Sequence, residues 1–192
     1  GHGTSIGGIV VDGGNFDWTK NRKRQPLLNE PDQSYGGADW IDAVPQLTGA
    51  NIPSVIRLRV VLLRDTGAPL APFNAWQIIQ GLETVGLRMK QHCSNAEKVV
   101  TFLETQKKVQ NVIYPTNHQG EIKERAKKYM QGGYGSLVGM DVGTKENGAK
   151  FIDNLKMLYH VANIGDARSL AIHPATTTHS QLNEKELLAA GV

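Results

Sequence analysis

The stretch of sequence that decides the fold is NIGDARSLAIHPATTTH, residues 163–179. Apolar residues at about 160–164 and 170–172 predict two short strands, one at its start and one within it. A helix is predicted on each side, over 147–158 before the strands and from Asn183 after them, where the spacing is that of a capping box. Short strands that alternate with helices predict an α/β fold.

The same stretch carries hydroxyl side chains that suit a binding pocket. Three consecutive threonines, residues 176–178, follow Ser169, and their hydroxyls can donate hydrogen bonds to a carboxylate. Hydroxyl residues are also common in ordinary strands and turns, so both interpretations stay open on the pattern alone. His173 and His179 flank the threonines, but no third ligand of a suitable type lies nearby in sequence, which favours structural histidines or a polar pocket wall over a metal site.

Toward the N-terminus the alternation of helices and strands continues. Periodicity predicts three helices and three strands there: helices over 54–64, 71–93 and 120–130, and strands over 6–11, 112–114 and 135–142. Ser94 and Glu97 have the spacing of a second capping box, which predicts that the long helix restarts or kinks there and runs to residue 105. The composition shift between Pro115 and Gly120 is the best candidate for a domain boundary.

The composition excludes several classes of protein. The chain has 192 residues, of which 40% are hydrophobic, and this favours one to two compact domains over a disordered or fibrous chain. Cys93 is the single cysteine, which rules out an internal disulfide and is consistent with the reducing cytoplasm. No apolar run approaches the roughly 20 residues that span a bilayer, so no membrane partner is expected.

The charge gives little support to nucleic-acid binding. The formal net charge is +3, and the one dense basic cluster consists of Lys20, Arg22, Lys23 and Arg24. No aromatic or glycine-rich companion accompanies this cluster, which favours a solvated loop over a phosphate-binding patch. We therefore expect no nucleic acid among the partners.

Several segments of the chain together resemble one group of enzymes. They are, in chain order, GHGTSIGGIVVDGGNF at 1–16, RDTGA at 64–68, PFNA at 72–75, QGLET at 80–84, LRM at 87–89, NIGDARSL at 163–170 and HPATTTH at 173–179. In order and spacing they are similar to the O-acetylhomoserine sulfhydrylases, which belong to the pyridoxal-phosphate enzymes of cysteine and methionine metabolism. Cystathionine synthases and lyases share the last two segments, whereas the opening segment and those at 72–75 and 80–84 look more like the sulfhydrylases.

The resemblance implies a fold type I pyridoxal-phosphate transferase, similar to aspartate aminotransferase, of which the chain is a part. Residues 1–118 are then the C-terminal part of the large cofactor-binding domain, and residues 119–192 an incomplete small C-terminal α/β domain. The implied assembly is a tetramer built from dimers. The implied reaction replaces the acetate of O-acetylhomoserine by sulfide, with pyridoxal 5′-phosphate as electron sink, and gives homocysteine for methionine biosynthesis.

The resemblance also assigns residues. Ser169 corresponds to a serine that contacts the substrate carboxylate, Thr178 lines the same pocket, and Asn163 lies where the family's chain passes the cofactor. The lysine that forms the Schiff base with the cofactor is expected a few residues before Gly1, and the arginine that binds the substrate carboxylate shortly after Val192. No catalytic residue is therefore expected within the chain, which by itself should be inactive.

Two rival interpretations stay open. One is another reaction within the same family, of the cystathionine γ-synthase or γ-lyase type. The other belongs to a different class and is a non-catalytic scaffold or interaction subunit. In either case a homo-oligomer, or a complementing polypeptide, is the expected protein partner.

Overall fold

The computed structural model describes residues 2–192, and these form two compact units. One unit consists of residues 7–75, and the other of residues 2–6 together with 76–192. Gly1, next to which the family's cofactor lysine is expected, lies outside the described residues. The domain boundary predicted near residue 118 stays a prediction.

The regular elements of residues 7–75 are helices, which begin at Arg22. After a 3-10 turn at Arg22–Arg24, the elements are α1 (Pro26–Asn29), α2 (Trp40–Thr48), α3 (Pro53–Arg57), a π-helical segment (Leu58–Leu63) and α4 (Arg64–Thr66). Together the last three confirm the helix predicted over 54–64. The buried side chains belong mainly to α2 and are Trp40, Ile41 and Val44.

Helix α2 is capped at both of its ends. The Asp39 carboxylate accepts a hydrogen bond from the Ile41 amide at 3.0 Å, and Gly49 ends the helix in the left-handed conformation with a φ of 71°. Arg22, from the basic cluster, donates to Asp39 at 3.0 Å and to Asp42 at 2.8 Å. The central arginine of that cluster is therefore paired with the first turn of α2.

The second unit contains the remaining helices and all four strands of the described residues. Its helices are α5 (Pro72–Glu83), which begins just before residue 76, α6 (Val85–Glu104), α7 (Gly120–Tyr129), α8 (Lys145–Asp153) and α9 (Glu184–Ala190). Its strands are β1 (Asn111–Ile113), β2 (Gly139–Asp141), β3 (Tyr159–His160) and β4 (Leu170–Ala171). Asn183 and Glu186 form the predicted capping box at the start of α9. The mixture of helices and short strands confirms the α/β class.

Two small sheets organise this unit. Strands β1 and β2 are antiparallel, with Val112 opposite Met140, and β3 and β4 are parallel, with Tyr159 opposite Leu170. The core lies between α6 and β1 and is formed by Ala96, Val100, Val112 and Tyr114. The Tyr114 hydroxyl donates to the Gly135 carbonyl at 2.9 Å, and burial raises the pKa of this tyrosine, which keeps the hydroxyl protonated as a donor.

Two local predictions are wrong. Residues 6–11 lie outside every sheet of the described chain, and Ile9 and Val11 are 87% and 81% exposed. Their β-branched pattern favours an extended strand, but a strand also needs a neighbour to accept its backbone hydrogen bonds. Ser94 lies inside α6 and starts no helix, because the break between the two long helices falls at Thr84 instead.

Candidate functional site

The predicted site residue Asn163 lies in a tight turn built around a buried carboxylate. Asp166 is only 5% exposed, and its Oδ2 accepts hydrogen bonds from Asn163 Nδ2 at 3.1 Å and from Arg168 Nη2 at 2.8 Å. Its Oδ1 accepts from the backbone N–H of Arg168 at 2.9 Å and from Nε at 3.1 Å. Four donors thus compensate the desolvation of one carboxylate.

These donors fix the charge of Asp166. Hydrogen bonds from the side chain and backbone of Arg168 hold the pKa of the Asp166 carboxyl far below its usual range, and the Asn163 amide adds to the effect. The Arg168 guanidinium also lies over the Tyr159 ring, 5.3 Å from its centre. The turn is therefore a permanently ionised pair at any moderate pH.

The start of the described chain packs against this turn. Gly3 has a φ of +86°, and a Cβ added there would lie 2.7 Å from Asp166 Oδ2, a distance that real side chains do not show. His2, the residue before Gly3, has its Nδ1 at 2.6 Å from Arg88 Nη2. The imidazole ring of His2 also covers Gly81 of α5, where an added Cβ would lie 2.6 Å from His2 Nδ1. Because arginine is always a donor, Nδ1 of His2 is the acceptor.

Ser169 follows the turn and leads into β4. Its side chain is exposed, and its carbonyl accepts a hydrogen bond from the Tyr159 amide at 3.0 Å, which helps to hold β3 against β4. The structure thus places Asn163 and Ser169 before and after the same buried carboxylate. Ser169 is exposed, and its contact with the substrate carboxylate stays a prediction.

Thr178 lies further along, after a 3-10 helix at Pro174–Thr176. The hydroxyls of Thr176 and Thr177 are used within the segment, since they lie 2.9 Å from His173 Nδ1 and 2.8 Å from the His173 carbonyl respectively. Thr178 is exposed, and its hydroxyl lies 2.9 Å from His179 Nδ1. Two of the three threonines therefore hold the loop together.

His173 is held from a second side by α8. Gly148 is buried in that helix, and a Cβ there would lie 2.4 Å from His173 Nε2. Burial lowers the pKa of His173, and the charges of Lys145 and His160 lower it further. Among the described residues no group of three His, Cys, Asp or Glu side chains could hold a metal ion, and no helix is long and apolar enough to cross a bilayer.

The lysines of the described residues bear on how a cofactor could be anchored covalently. Pyridoxal phosphate is attached to enzymes through a lysine. Every described lysine is exposed except Lys123, which is half-buried in α7. Around Asp166 the chain offers neutral amide and hydroxyl groups, which can orient an amino acid but cannot hold the cofactor covalently.

Sequence reasoning missed Asp166, Gly3 and Arg88. A charged residue is rarely buried, so that nothing in the pattern marks Asp166 as the centre of the turn. Its spacing of two residues from Arg168 is typical of a carboxylate that accepts a backbone N–H in a turn, and this is the one local signal that was present. The contacts of Gly3 and Arg88 join parts of the chain that are distant in sequence.

Similar known proteins show the family to which the chain belongs. The family model described as Cys/Met metabolism PLP-dependent enzyme matches residues 1–192. An O-acetyl-L-homoserine sulfhydrylase of Leptospira meyeri is 46% identical over 197 residues, which cover 100% of this chain and 44% of that protein. The chain thus spans less than half the length of this curated relative.

Two solved structures are similar to the chain. A Campylobacter jejuni structure described as an O-acetylhomoserine (thiol)-lyase with N′-pyridoxyl-lysine-5′-monophosphate matches with a TM-score of 0.74 and 39% identity, over 90% of this chain and 40% of that one. A cystathionine γ-lyase of Lactobacillus plantarum, complexed with L-serine, matches with a TM-score of 0.64 and 26% identity, over 74% and 37%. The fold is therefore that of these enzymes, and the chain belongs to the pyridoxal-phosphate-dependent enzymes of cysteine and methionine metabolism.

Proposed function

We propose that the chain works in an O-acetylhomoserine sulfhydrylase, which replaces the acetate of O-acetylhomoserine by sulfide and releases homocysteine. The observation that carries the proposal is the 46% identity to such an enzyme along the whole chain, against 26% to a cystathionine γ-lyase. Pyridoxal phosphate supplies the electron sink for this chemistry when it is bound.

The chain contributes groups that orient the substrate. The Arg168 guanidinium is committed to Asp166, so the substrate carboxylate is held here by neutral donors. Asn163, Ser169 and Thr178 are the proposed ones, and the exposed hydroxyls of Ser169 and Thr178 support their roles. None of the three has to gain or lose a proton, since each acts as a hydrogen-bond donor at a fixed position.

The proposal includes the assembly and its location. We propose a cytoplasmic homotetramer in which residues 119–192 belong to a small C-terminal domain. Exposed apolar side chains support contact with a further protein surface, because Ile9 is 87%, Met157 75% and Leu87 74% exposed. The mass of the purified gene product, measured by light scattering, tests the tetramer.

A direct assay tests the reaction. The gene product that contains these 192 residues, loaded with pyridoxal phosphate, is given O-acetylhomoserine with sulfide and, in parallel, cystathionine. We expect homocysteine to form from the first mixture much faster than cystathionine is cleaved. The reverse order would favour the second candidate, a cystathionine γ-lyase, to which the TM-score of 0.64 points.

A trapping experiment addresses the non-catalytic rival. Because the described lysines are exposed or, for Lys123, half-buried, the 192-residue chain alone should give no stoichiometric adduct at one lysine after pyridoxal phosphate and borohydride. Single-site labelling together with sulfhydrylase activity of that chain would overturn this expectation. Loss of activity in every longer form of the protein would favour the scaffold instead.

A further inference from the structure

The Asp166 carboxylate joins its own turn, residues 163–168, to the opening segment of the chain at Gly3. It binds the amide of Asn163 at 3.1 Å, three donors of Arg168 at 2.8–3.1 Å, and it lies directly under the backbone of Gly3. Gly3 in turn is continuous with His2, which Arg88 holds at 2.6 Å. One buried charge thus connects the opening segment of the chain with a predicted substrate residue.

The carboxylate decides which way the Asn163 amide faces. An asparagine side chain has one donating end and one accepting end. Here the donating Nδ2 lies against Asp166, and the accepting Oδ1 receives the Ile164 amide at 2.9 Å. With a carboxylate at this position, the opposite orientation would place two oxygens against each other, so that the amide is held in one of its two orientations.

The carboxylate itself cannot turn away. Its two oxygens are both used by the fork of Arg168, at 3.1 Å and 2.8 Å, in the paired geometry that is the strongest of the charged hydrogen bonds. The Asp166 side chain is 4% exposed, whereas that of Arg168 is 52% exposed. The arginine is therefore exposed to solvent, whereas the Asp166 carboxylate is buried.

We propose that Asp166 is a positioning residue for the amino-acid substrate, acting through the amide of Asn163. The inference rests on the proposed function, in which Asn163 contacts the substrate. Asp166 does not touch the substrate. Asp166 fixes the orientation of the Asn163 side-chain amide and the backbone path of Gly3. A change at Asp166 therefore alters substrate binding, because it inverts the Asn163 amide or leaves it free to turn.

The exchange Asp166→Asn tests this with almost no change of shape. An asparagine there can still accept the backbone N–H of Arg168, but it places an NH₂ group toward Asn163 Nδ2 or toward the arginine fork. Two donors then face each other, and the Asn163 amide is expected to flip. The matched control is Asp141→Asn, because exposed Asp141 at the end of β2 also accepts the backbone N–H two residues ahead, at 2.7 Å from Gly143.

A double-mutant cycle separates positioning from general stability. In the complete protein loaded with pyridoxal phosphate, Asp166→Asn should raise KM for O-acetylhomoserine about tenfold, the scale of one lost charged hydrogen bond, with kcat changed less than about threefold. In the Asn163→Ala background the same exchange should change KM less than about twofold, because the residue through which it acts is gone. Asp141→Asn should leave KM unchanged.

The binding of L-homoserine, measured by calorimetry, keeps this test independent of the proposed reaction. If the wild-type protein forms no homocysteine, the proposed function fails, but the affinity for L-homoserine still reports on Asp166. An equal loss of affinity from Asp166→Asn with and without Asn163 would overturn the positioning role, as would an unchanged affinity. If Asp166→Asn does not fold, Arg168→Met takes its place in the double-mutant cycle. This exchange removes the guanidinium that holds the Asp166 carboxylate, and it does so at an exposed residue. The same two outcomes would then overturn the positioning role.

Discussion

The contact between Gly148 and His173 predicts a substitution whose effect on stability changes sign with its surroundings. Glycine inside a helix costs about 0.5–1 kcal/mol relative to alanine, because it loses more conformational freedom on folding. Gly148 lies inside α8, where Gly148→Ala should therefore stabilise the protein if space allows. The added methyl group, however, would lie 2.4 Å from His173 Nε2 and 2.7 Å from Cδ2.

The magnitude of this change in stability follows from how far the His173 imidazole must move and from the contact that the move weakens. An ordinary contact needs 3.4 Å or more, so that the imidazole has to move by roughly 1 Å. The move strains the side-chain torsion by about 0.5–1.5 kcal/mol and weakens the 2.9 Å contact with Thr176, which is worth about as much. After the helix gain is subtracted, Gly148→Ala should destabilise the protein by about 1 kcal/mol. In a His173→Ala background it should stabilise it by about 0.5–1 kcal/mol.

Urea unfolding of the complete protein, followed by circular dichroism, measures both changes. Gly86→Ala in α6 is the control, since a methyl group there meets nothing within 4 Å, and it should stabilise equally with and without His173. Stabilisation by Gly148→Ala in the presence of His173 would refute the close contact. A loss of stability in both backgrounds would refute the assignment of the cost to the imidazole.

Two further predictions concern the buried polar groups. Asp166→Asn should lower the free energy of unfolding at pH 7, by an amount that is reduced because Arg168 is half exposed. Since the pKa of Asp166 is held below its ordinary value, the stability that its charge contributes is present above about pH 4–5 and is lost as the pH falls further. The free energies of urea unfolding of wild type and variant should therefore converge at low pH. A difference that stays constant with pH would contradict this prediction. Tyr114→Phe should lower the free energy of unfolding by about 1–2 kcal/mol in the same assay, because it leaves the Gly135 carbonyl without its donor. The control Tyr129→Phe, at a residue that is 72% exposed, should lower it by less than about 0.5 kcal/mol. Equal losses from the two exchanges would contradict the buried hydrogen bond.

Local signals in the sequence were sufficient for most helices. The basic helix predicted over 120–130 is α7, and the Asn183 cap begins α9 as its side chain requires. Caps and helical periodicity act within a few residues, so that they are visible in one sequence. The parallel pair of β3 and β4 is shorter than predicted, because its length depends on partners outside the strand.

Contacts between distant residues could not be predicted in this way. The run at 6–11 has the composition of a strand, but composition does not supply the neighbouring strand that would pair with it. Asn163 could be assigned from the resemblance, whereas the carboxylate that orients it could not, because its burial depends on Gly3 and Arg168 arriving at the same place. The site residues assigned from motifs thus stay predictions, and the residues that support them could not be recognised from the sequence.

The core and the candidate site are held by different forces, and this separates the effects of their variants. Tyr114 and Val112 are stabilised by apolar burial, which has no preferred direction, so a change there lowers the free energy of unfolding without turning a side chain at the site. Asp166 acts through charged hydrogen bonds, which are directional and fix the amide of Asn163. An exchange of Asp166 therefore alters which atom Asn163 presents even where the fold persists. Altered binding with an intact fold at Asp166, and reduced stability with unaltered binding at Tyr114, are the two results that this division requires.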